Sequence, residues 1–166
     1  TLHRGTKSLG YSKIGKNCLV MAYGHVAHDS IIGDNCILAN GVQIAGHVEV
    51  EDWVIIGGLT PVHQFCKIGK HAMIGGGFRV VTDIPPFVLA AGEPLRFNGL
   101  NLIGLKRRGF TLKQIEDLKD TYNLLFRSNL NISQAKERII AKYPENENVS
   151  SVINFLAASS RGLIKG

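Results

Sequence analysis

Four histidines, His25, His28, His47 and His63, fall within 39 residues of one another, and Asp29 follows directly on His28. Imidazole exchanges a proton near neutrality, so a histidine beside a carboxylate is a minimal general base. Asp29 is able to fold onto the His28 ring or to pair with His47, and both arrangements remain open at this level. Gly46, just before His47, would offer a bare backbone amide to a developing oxyanion. Whether these groups meet depends on the repeat that carries them.

Starting at Ile14 and stepping by six gives Val20, Val26, Ile32, Leu38, Ile44, Val50, Ile56, Val62, Ile68, Ile74 and Val80. Leu, Ile and Val make up about a quarter to a third of an ordinary chain, so chance produces such a run less than roughly once in a million. A period of six fits neither a helix face nor simple strand alternation. The residues four further on, among them Cys18, Ser30, Cys36, Val42, Val48, Val54, Thr60, Cys66 and Ala72, are small or apolar. Two inward positions per hexad predict a triangular coil of three short strands, with about 18 residues per turn of a parallel β-helix. Residues 18 apart then stack about 4.8 Å from each other.

Stacking places His28, Gly46 and Gln64 in one column, with Asp29, His47 and Phe65 beside it and Ala27, Ala45 and His63 on its other side. A base, an acid and a glycine amide thereby share one corner of adjacent coils. No serine or cysteine lies in that column, which favours direct group transfer over a covalent intermediate. Zinc is the rival chemistry. The γ-class carbonic anhydrases, which share a hexapeptide repeat, bind zinc through histidines paired two coils apart. Here the residues 36 after His25, His28 and His47 are Pro61, Gln64 and Asp83, so no such pair forms within the chain and no metal is expected; imidazoles meeting across a subunit boundary keep a zinc enzyme as an alternative, with a non-enzymatic β-helix scaffold as another. Another column reads Ala22, Asn40, Gly58, Gly76, flanked by Gly75 and Gly77. Glycines easing tight corners and a slot for an extended apolar chain account for it equally well.

The prolines of Asp83-Ile84-Pro85-Pro86 deny a following strand its donors and predict the end of the repeat, giving a β-helix over residues 1–84. Residues 85–110 read as a connecting loop, extended over 85–104. It ends in Lys106-Arg107-Arg108, which is either a solvated face or a site for phosphates. A helical domain is expected over 111–166. Thr111 with Gln114 forms a capping box before an apolar face of Ile115, Leu118, Tyr122 and Leu125. A second helix starts at Asn131, with Gln134 three on, and stops before Pro144; a third runs from about Val149 to Ser160 and ends at Gly162.

Nineteen Lys and Arg against 13 Asp and Glu leave a formal charge of +6, which favours an anionic partner. The cations are scattered and not interleaved with aromatics, which argues against nucleic acid. Cys18, Cys36 and Cys66 are odd in number and form no CxxC pair; they read as free thiols in a reducing, cytoplasmic setting. No apolar run reaches the length of a membrane span, so no stable membrane insertion is expected, and no signal-peptide pattern opens the chain.

The strings His25-Val-Ala-His28-Asp29, Asn35-Cys-Ile-Leu-Ala-Asn40, Ala45-Gly46-His47, Val62-His63-Gln64-Phe65-Cys66, Asp83-Ile-Pro-Pro86, Gly104-Leu-Lys-Arg-Arg-Gly-Phe110 and Ser160-Arg-Gly-Leu-Ile164 resemble the UDP-N-acetylglucosamine O-acyltransferases, a family of hexapeptide-repeat enzymes acting at the start of lipid A synthesis. The resemblance covers essentially the whole chain. It implies a left-handed coil, a homotrimer with sites in clefts between subunits, an acyl carrier protein thioester as donor, a UDP-amino sugar as acceptor, and no cofactor. It casts His28 as general base, Asp29 as its orienter and the Gly46 amide as oxyanion donor. His25, His47, His63 and Gln64 would line the sugar and acyl site, Asn101, Arg107 and Arg108 would meet nucleotide and carrier, and Gly58 and Gly76 would border the pantetheine and acyl path. Two departures stand out: the family has further N-terminal coils that this sequence lacks, and Ile103 stands where members commonly carry an acid.

Overall fold

The computed structural model describes all residues 1–166. Each hexad contributes one two-residue strand. The first full coil holds β1 (Lys13–Ile14), β2 (Leu19–Val20) and β3 (His25–Val26); the second holds β4 (Ile31–Ile32), β5 (Ile37–Leu38) and β6 (Gln43–Ile44). The third holds β7 (Glu49–Val50), β8 (Ile55–Ile56) and β9 (Pro61–Val62). β10 (Lys67–Ile68) and β11 (Met73–Ile74) follow, and Val80 closes that coil by bridging Val62. All rungs are parallel, and partners such as Lys13 and Ile31 or His25 and Gln43 are 18 apart, as the period requires. The result is a triangular solenoid with one sheet on each side.

Burial follows the hexad. Ile32, Leu38, Ile44, Ile56, Ile68 and Ile74 are wholly inaccessible, each contributing about 1.5–3 kcal/mol by leaving water. The second inward position is filled by Cys36, Val42, Val48, Val54, Cys66 and Ala72, all fully buried. Where it is a hydroxyl, the polar atom is satisfied: Ser30 donates to the Ala45 carbonyl and Thr60 to that of Gly75. The corners turn through left-handed residues, so Asp29, His47 and Phe65 have φ of 57°, 60° and 64°. An aromatic or histidine side chain at positive φ is uncommon and is held there by the stacked coils above and below.

Two stretches depart from the expected pattern. Leu2 bridges Val26, 24 residues on instead of 18, because residues 4–11 leave the coil as an excursion on its outside. Val20, on β2 at the edge of its sheet, is 40% exposed. At the other end, the stacking does not stop at the prolines. Ile68 bridges Ile84, and Met73 pairs with Leu89 of β12 (Val88–Ala91), both 16 apart. Pro85 and Pro86 occupy the corner between those rungs, where no ladder donor is needed, so the coil continues with two residues fewer. The expected connecting loop is therefore largely ordered into elements. β12 turns back into antiparallel β13 (Arg96–Leu100), followed by α1 (Leu102–Arg107).

The tail is a three-helix bundle. α2 (Leu112–Phe126) and α3 (Ile132–Lys142) both start on complete capping boxes, Thr111 with Gln114 and Asn131 with Gln134. Ile115, Leu118, Tyr122 and Leu125 are buried as the periodicity predicts, and the Tyr122 hydroxyl donates to the Pro86 carbonyl at 2.5 Å, tying bundle to solenoid. α4 spans Glu147–Ala158; it begins two residues earlier than expected because Asn146 supplies the cap. Beyond it the chain returns to the solenoid, with Leu163 bridging Asp83 and Lys165 bridging Arg96. Asp83, wholly buried, accepts from the Lys67 amide at Oδ1 and from Ser159 Oγ and the amides of Ser160 and Arg161 at Oδ2. That one carboxylate fastens the C-terminal segment. No helix is long and apolar enough to cross a membrane.

Candidate active site

The corner after β3 and β6 gathers the residues that stacking placed in register. The His28 ring lies at Nδ1 2.9 Å from Asp29 Oδ2. His47 of the next coil approaches the same oxygen at 3.8 Å through Nε2, and its ring stands edge-on to that of His28 with centroids 5.2 Å apart. Asp29 therefore serves the ring beside it first and faces the other at longer range, which answers the question the sequence left open. Phe65 stacks on His47 at 4.7 Å and holds that ring flat against the next coil.

Asp29 is almost completely buried, yet its carboxylate is fully engaged. Oδ1 accepts from the amides of Thr6 and Leu9 at 2.9 and 3.3 Å; Oδ2 accepts from the Thr6 hydroxyl at 2.5 Å and from His28. Burial alone would raise the carboxyl, but the hydrogen bonds from Thr6, His28 and Leu9 outweigh it and hold Asp29 well below the usual carboxylate range. A permanent anion on Nδ1 fixes the His28 proton there and leaves Nε2 as the acceptor. Ser12 Oγ accepts from the Asp29 amide at 2.9 Å and steadies the left-handed corner.

Gly46 sits one coil above His28. Its N–H has no acceptor within the chain, whereas at the same hexad position on another edge the amides of Lys16 and Asp34 donate to the carboxylates of Asp34 and Asp52. The Gly46 amide is thereby a free donor on a residue packed against the His28 ring. A cavity of about 750 Å³ opens in front of this corner, lined by His28 and by His3, Arg4, Thr6 and Lys7 of the excursion. None of those four was picked out by the sequence reading. The available signal was Leu2, which lies in phase with the hexads.

The other expected residues lie at different distances from this corner. His25 reaches Thr1 Oγ1 at 2.6 Å and meets His3 edge-on; burial, with the charge of His3, pushes its pKa down. His63 and Gln64 are exposed one coil further on, where His63 turns Nδ1 to the Gln64 carbonyl. Gly58 and Gly76 stack backbone on backbone, so that a Cβ on Gly76 would stand 3.1 Å from the Gly58 carbonyl oxygen. Asn101 is buried and caps α1, accepting from the Gly104 amide and donating to the His71 carbonyl. Arg107 is exposed. Arg108 lies over the Trp53 ring at 5.2 Å, with a guanidinium nitrogen 3.4 Å from His71 Nδ1. Burial, then the charges of Arg108 and Lys70, push His71 down to about 4.

A cation is a conceivable guest, since ligand atoms of His28, Asp29 and His47 lie within 4.8 Å of one another. The donor set fits poorly. Asp29 Oδ2 already accepts two hydrogen bonds, and a metal there would displace both and strip the proton from His28 Nδ1.

Residues 83–164 match a family model described as UDP N-acetylglucosamine O-acyltransferase, domain 2, and residues 11–46 match one for bacterial transferase hexapeptides. The acyl-[acyl-carrier-protein]--UDP-N-acetylglucosamine O-acyltransferases of Thiobacillus denitrificans and Nautilia profundicola are 43% and 48% identical to this chain over 166 and 163 residues. Those alignments cover 99% and 98% of this chain but 64% and 62% of the relatives, so the chain spans less than two thirds of their length. Among solved structures, the UDP-N-acetylglucosamine O-acyltransferase of Moraxella catarrhalis superposes with a TM-score of 0.94 at 37% identity, covering 99% of this chain and 64% of that one. The Arabidopsis enzyme gives 0.92 at 37%, covering 99% and 60%. In its solenoid and helical tail, and over nearly all of its own length, this chain matches the UDP-N-acetylglucosamine O-acyltransferase family of hexapeptide-repeat proteins.

Proposed function

We propose that this chain carries the catalytic corner of an acyltransferase that moves an acyl or 3-hydroxyacyl group from acyl carrier protein to the 3-hydroxyl of UDP-N-acetylglucosamine. The observation that carries the reading is the His28–Asp29 pair with a free Gly46 amide beside it. His28 Nε2 removes the proton of the sugar hydroxyl as its oxygen attacks the thioester carbonyl. The oxyanion that forms is held by the Gly46 N–H. Collapse expels the pantetheine thiolate, which takes the proton back from the imidazolium, leaving acylated sugar and carrier thiol. No covalent enzyme intermediate is needed.

His47 lines the corner directly, and His25, His63 and Gln64 extend it along the same edge toward sugar and acyl chain. The exposed cations Arg107 and Lys106 offer an approach to phosphates or an acidic carrier. Gly58 and Gly76 leave one edge without side chains, a path for pantetheine and acyl chain. In this reading three copies assemble with clefts between solenoid sides. The free thiols at Cys18, Cys36 and Cys66, two of them buried with pKa values pushed up to about 12 and about 11, suit a reducing cytoplasm.

The test is incubation of UDP-N-acetylglucosamine with acyl carriers of graded chain length, with and without 3-hydroxylation. Formation of a 3-O-acyl product that disappears in His28→Ala supports the proposal; hydrolysis of the thioester without acyl sugar would overturn it. Sedimentation giving a monomer at micromolar concentration would remove the intersubunit cleft from it.

A further inference from the structure

We infer that Thr6 is a positioning residue for the catalytic pair, acting through Asp29 to fix which nitrogen of His28 carries the proton. This rests on the reading of His28 as base and deepens it. Thr6 lies on the excursion of residues 4–11, outside the hexad pattern and 23 residues from Asp29. It contacts both oxygens of the carboxylate, by its amide to Oδ1 at 2.9 Å and by its hydroxyl to Oδ2 at 2.5 Å. Oδ2 is also the oxygen that receives His28 Nδ1. The hydroxyl thus fixes the rotation of the carboxylate about its side-chain axis, and with it the direction from which Oδ2 meets the ring.

Three alternatives are available to an aspartate at this corner, and Thr6 suppresses each. A rotated carboxylate would turn Oδ2 to His47, which already stands 3.8 Å away. A protonated one would donate to His28 Nδ1 and place the imidazole proton on Nε2, the nitrogen required as acceptor. A solvated one would release the ring altogether. A hydroxyl proton aimed at Oδ2 opposes the first two by geometry and charge, and the amides of Thr6 and Leu9 on Oδ1 oppose the third. The ionisable groups facing the pair are His47 from the next coil and His3, Arg4 and Lys7 from the excursion, with His25 on the strand before it. Their positive forms all favour the Asp29 anion, so none substitutes for the directional bond.

Nuclear magnetic resonance on the full chain tests this without relying on turnover. The Asp29 carboxyl carbon reports ionisation, and the His28 ring nitrogens report the tautomer. Wild-type Asp29 should remain ionised at pH 3 with His28 in the Nδ1–H form above neutrality; Asp29 titrating in the ordinary carboxylate range would overturn the proposal whatever the variants do. In Thr6→Val the Asp29 midpoint should rise by about one pH unit or more and the Nδ1–H share should fall, while Thr6→Ser should restore both. Unchanged Asp29 and His28 signals in a folded Thr6→Val, or Thr6→Ser behaving as Thr6→Val, would also overturn it. In the transfer assay Thr6→Val should lose about tenfold or more in kcat with KM for the UDP-sugar little changed. Absence of transfer by the wild type would defeat the proposed function, and the spectra would still decide the positioning role.

Discussion

The His28 imidazole occupies the space into which a side chain on Gly46 would grow: a Cβ there would stand 2.7 Å from Cε1 and 2.8 Å from Nε2 of the ring. Glycine is required at this position for close approach, not for backbone freedom, since its φ lies outside the left-handed range. Gly46→Ala should leave the solenoid folded, because the methyl points out of the corner. The ring should be displaced and kcat should fall by about 10²–10³-fold, the usual worth of one lost oxyanion or base contact. Kinetics paired with a melting curve check this; a folded variant with wild-type kcat would show that the ring moves freely.

Arg107 and Arg108 are neighbours in sequence with different surroundings. Arg107 is exposed, and Arg107→Ala should raise KM for UDP-sugar or carrier and weaken its salt dependence without changing stability. Arg108 packs over Trp53 and against His71, so Arg108→Ala should also lower stability by about 1 kcal/mol as α1 loosens from the coil. Equal stability of the two variants in urea would refute the distinction.

His71 makes stability depend on pH in a definite direction. Its folded pKa is pushed down to about 4 by burial and by Arg108 and Lys70, whereas the unfolded ring titrates near its ordinary 6.5. Between those values unfolding takes up a proton, so stability is lost as pH falls from about 6.5 toward 4, by at most about 3 kcal/mol. His71→Phe, at a corner column where Trp53 and Phe87 already adopt positive φ, should flatten that slope by one proton. Urea midpoints measured across pH 4–7 for both proteins give the answer; parallel curves would assign the acid sensitivity elsewhere.

The Asp83 carboxylate accepts four hydrogen bonds, one from the Lys67 amide of the stacked coil and three from Ser159, Ser160 and Arg161, which bind the C-terminal segment to the solenoid. Asp83→Ala should cost about 3 kcal/mol or more, because it leaves buried donors unpaired. The segment after Ala158 should then become the first site of proteolysis. A variant as stable as the parent, with an intact tail, would contradict this.

What the sequence made legible was whatever the period of six or the helical period repeats. Ile14 to Val80, the three-sided coil, the corner shared by His28, Gly46 and His47, and the boxes at Thr111 and Asn131 all follow from local spacing. The contacts that finish the site do not. Thr6 reaches Asp29 across an excursion that interrupts the phase, and only Leu2 betrays that the coil resumes before it. Pro85 and Pro86 suggested a stop because a proline opposes a strand; they sit at a corner, where shortening the rung to 16 residues lets β12 join the ladder. The bonds from Ser159, Ser160 and Arg161 to Asp83 span 76 to 78 residues and leave no periodic trace.

The mechanism itself is tested by His28→Ala. The ring is partly exposed at a corner and not inside the coil, where Val26 is buried, so its removal should create no core cavity and leave the fold and UDP-sugar binding largely intact. What it removes is the ring that packs against Gly46 with its Nδ1 held by Asp29, and kcat should fall by about 10²–10⁴-fold. His28→Gln is the sharper companion, since its amide can still meet Asp29 but cannot take up a proton; it should be as slow as alanine. Asp29→Asn should be affected less than His28→Ala. It keeps the shape of the corner and the Thr6 amide contact, but it loses the anion that holds the His28 proton on Nδ1. Calorimetry with UDP-N-acetylglucosamine separates binding from turnover in each variant. If His28→Ala retains more than about a tenth of wild-type kcat, the base lies elsewhere on this edge, with His25 next in line.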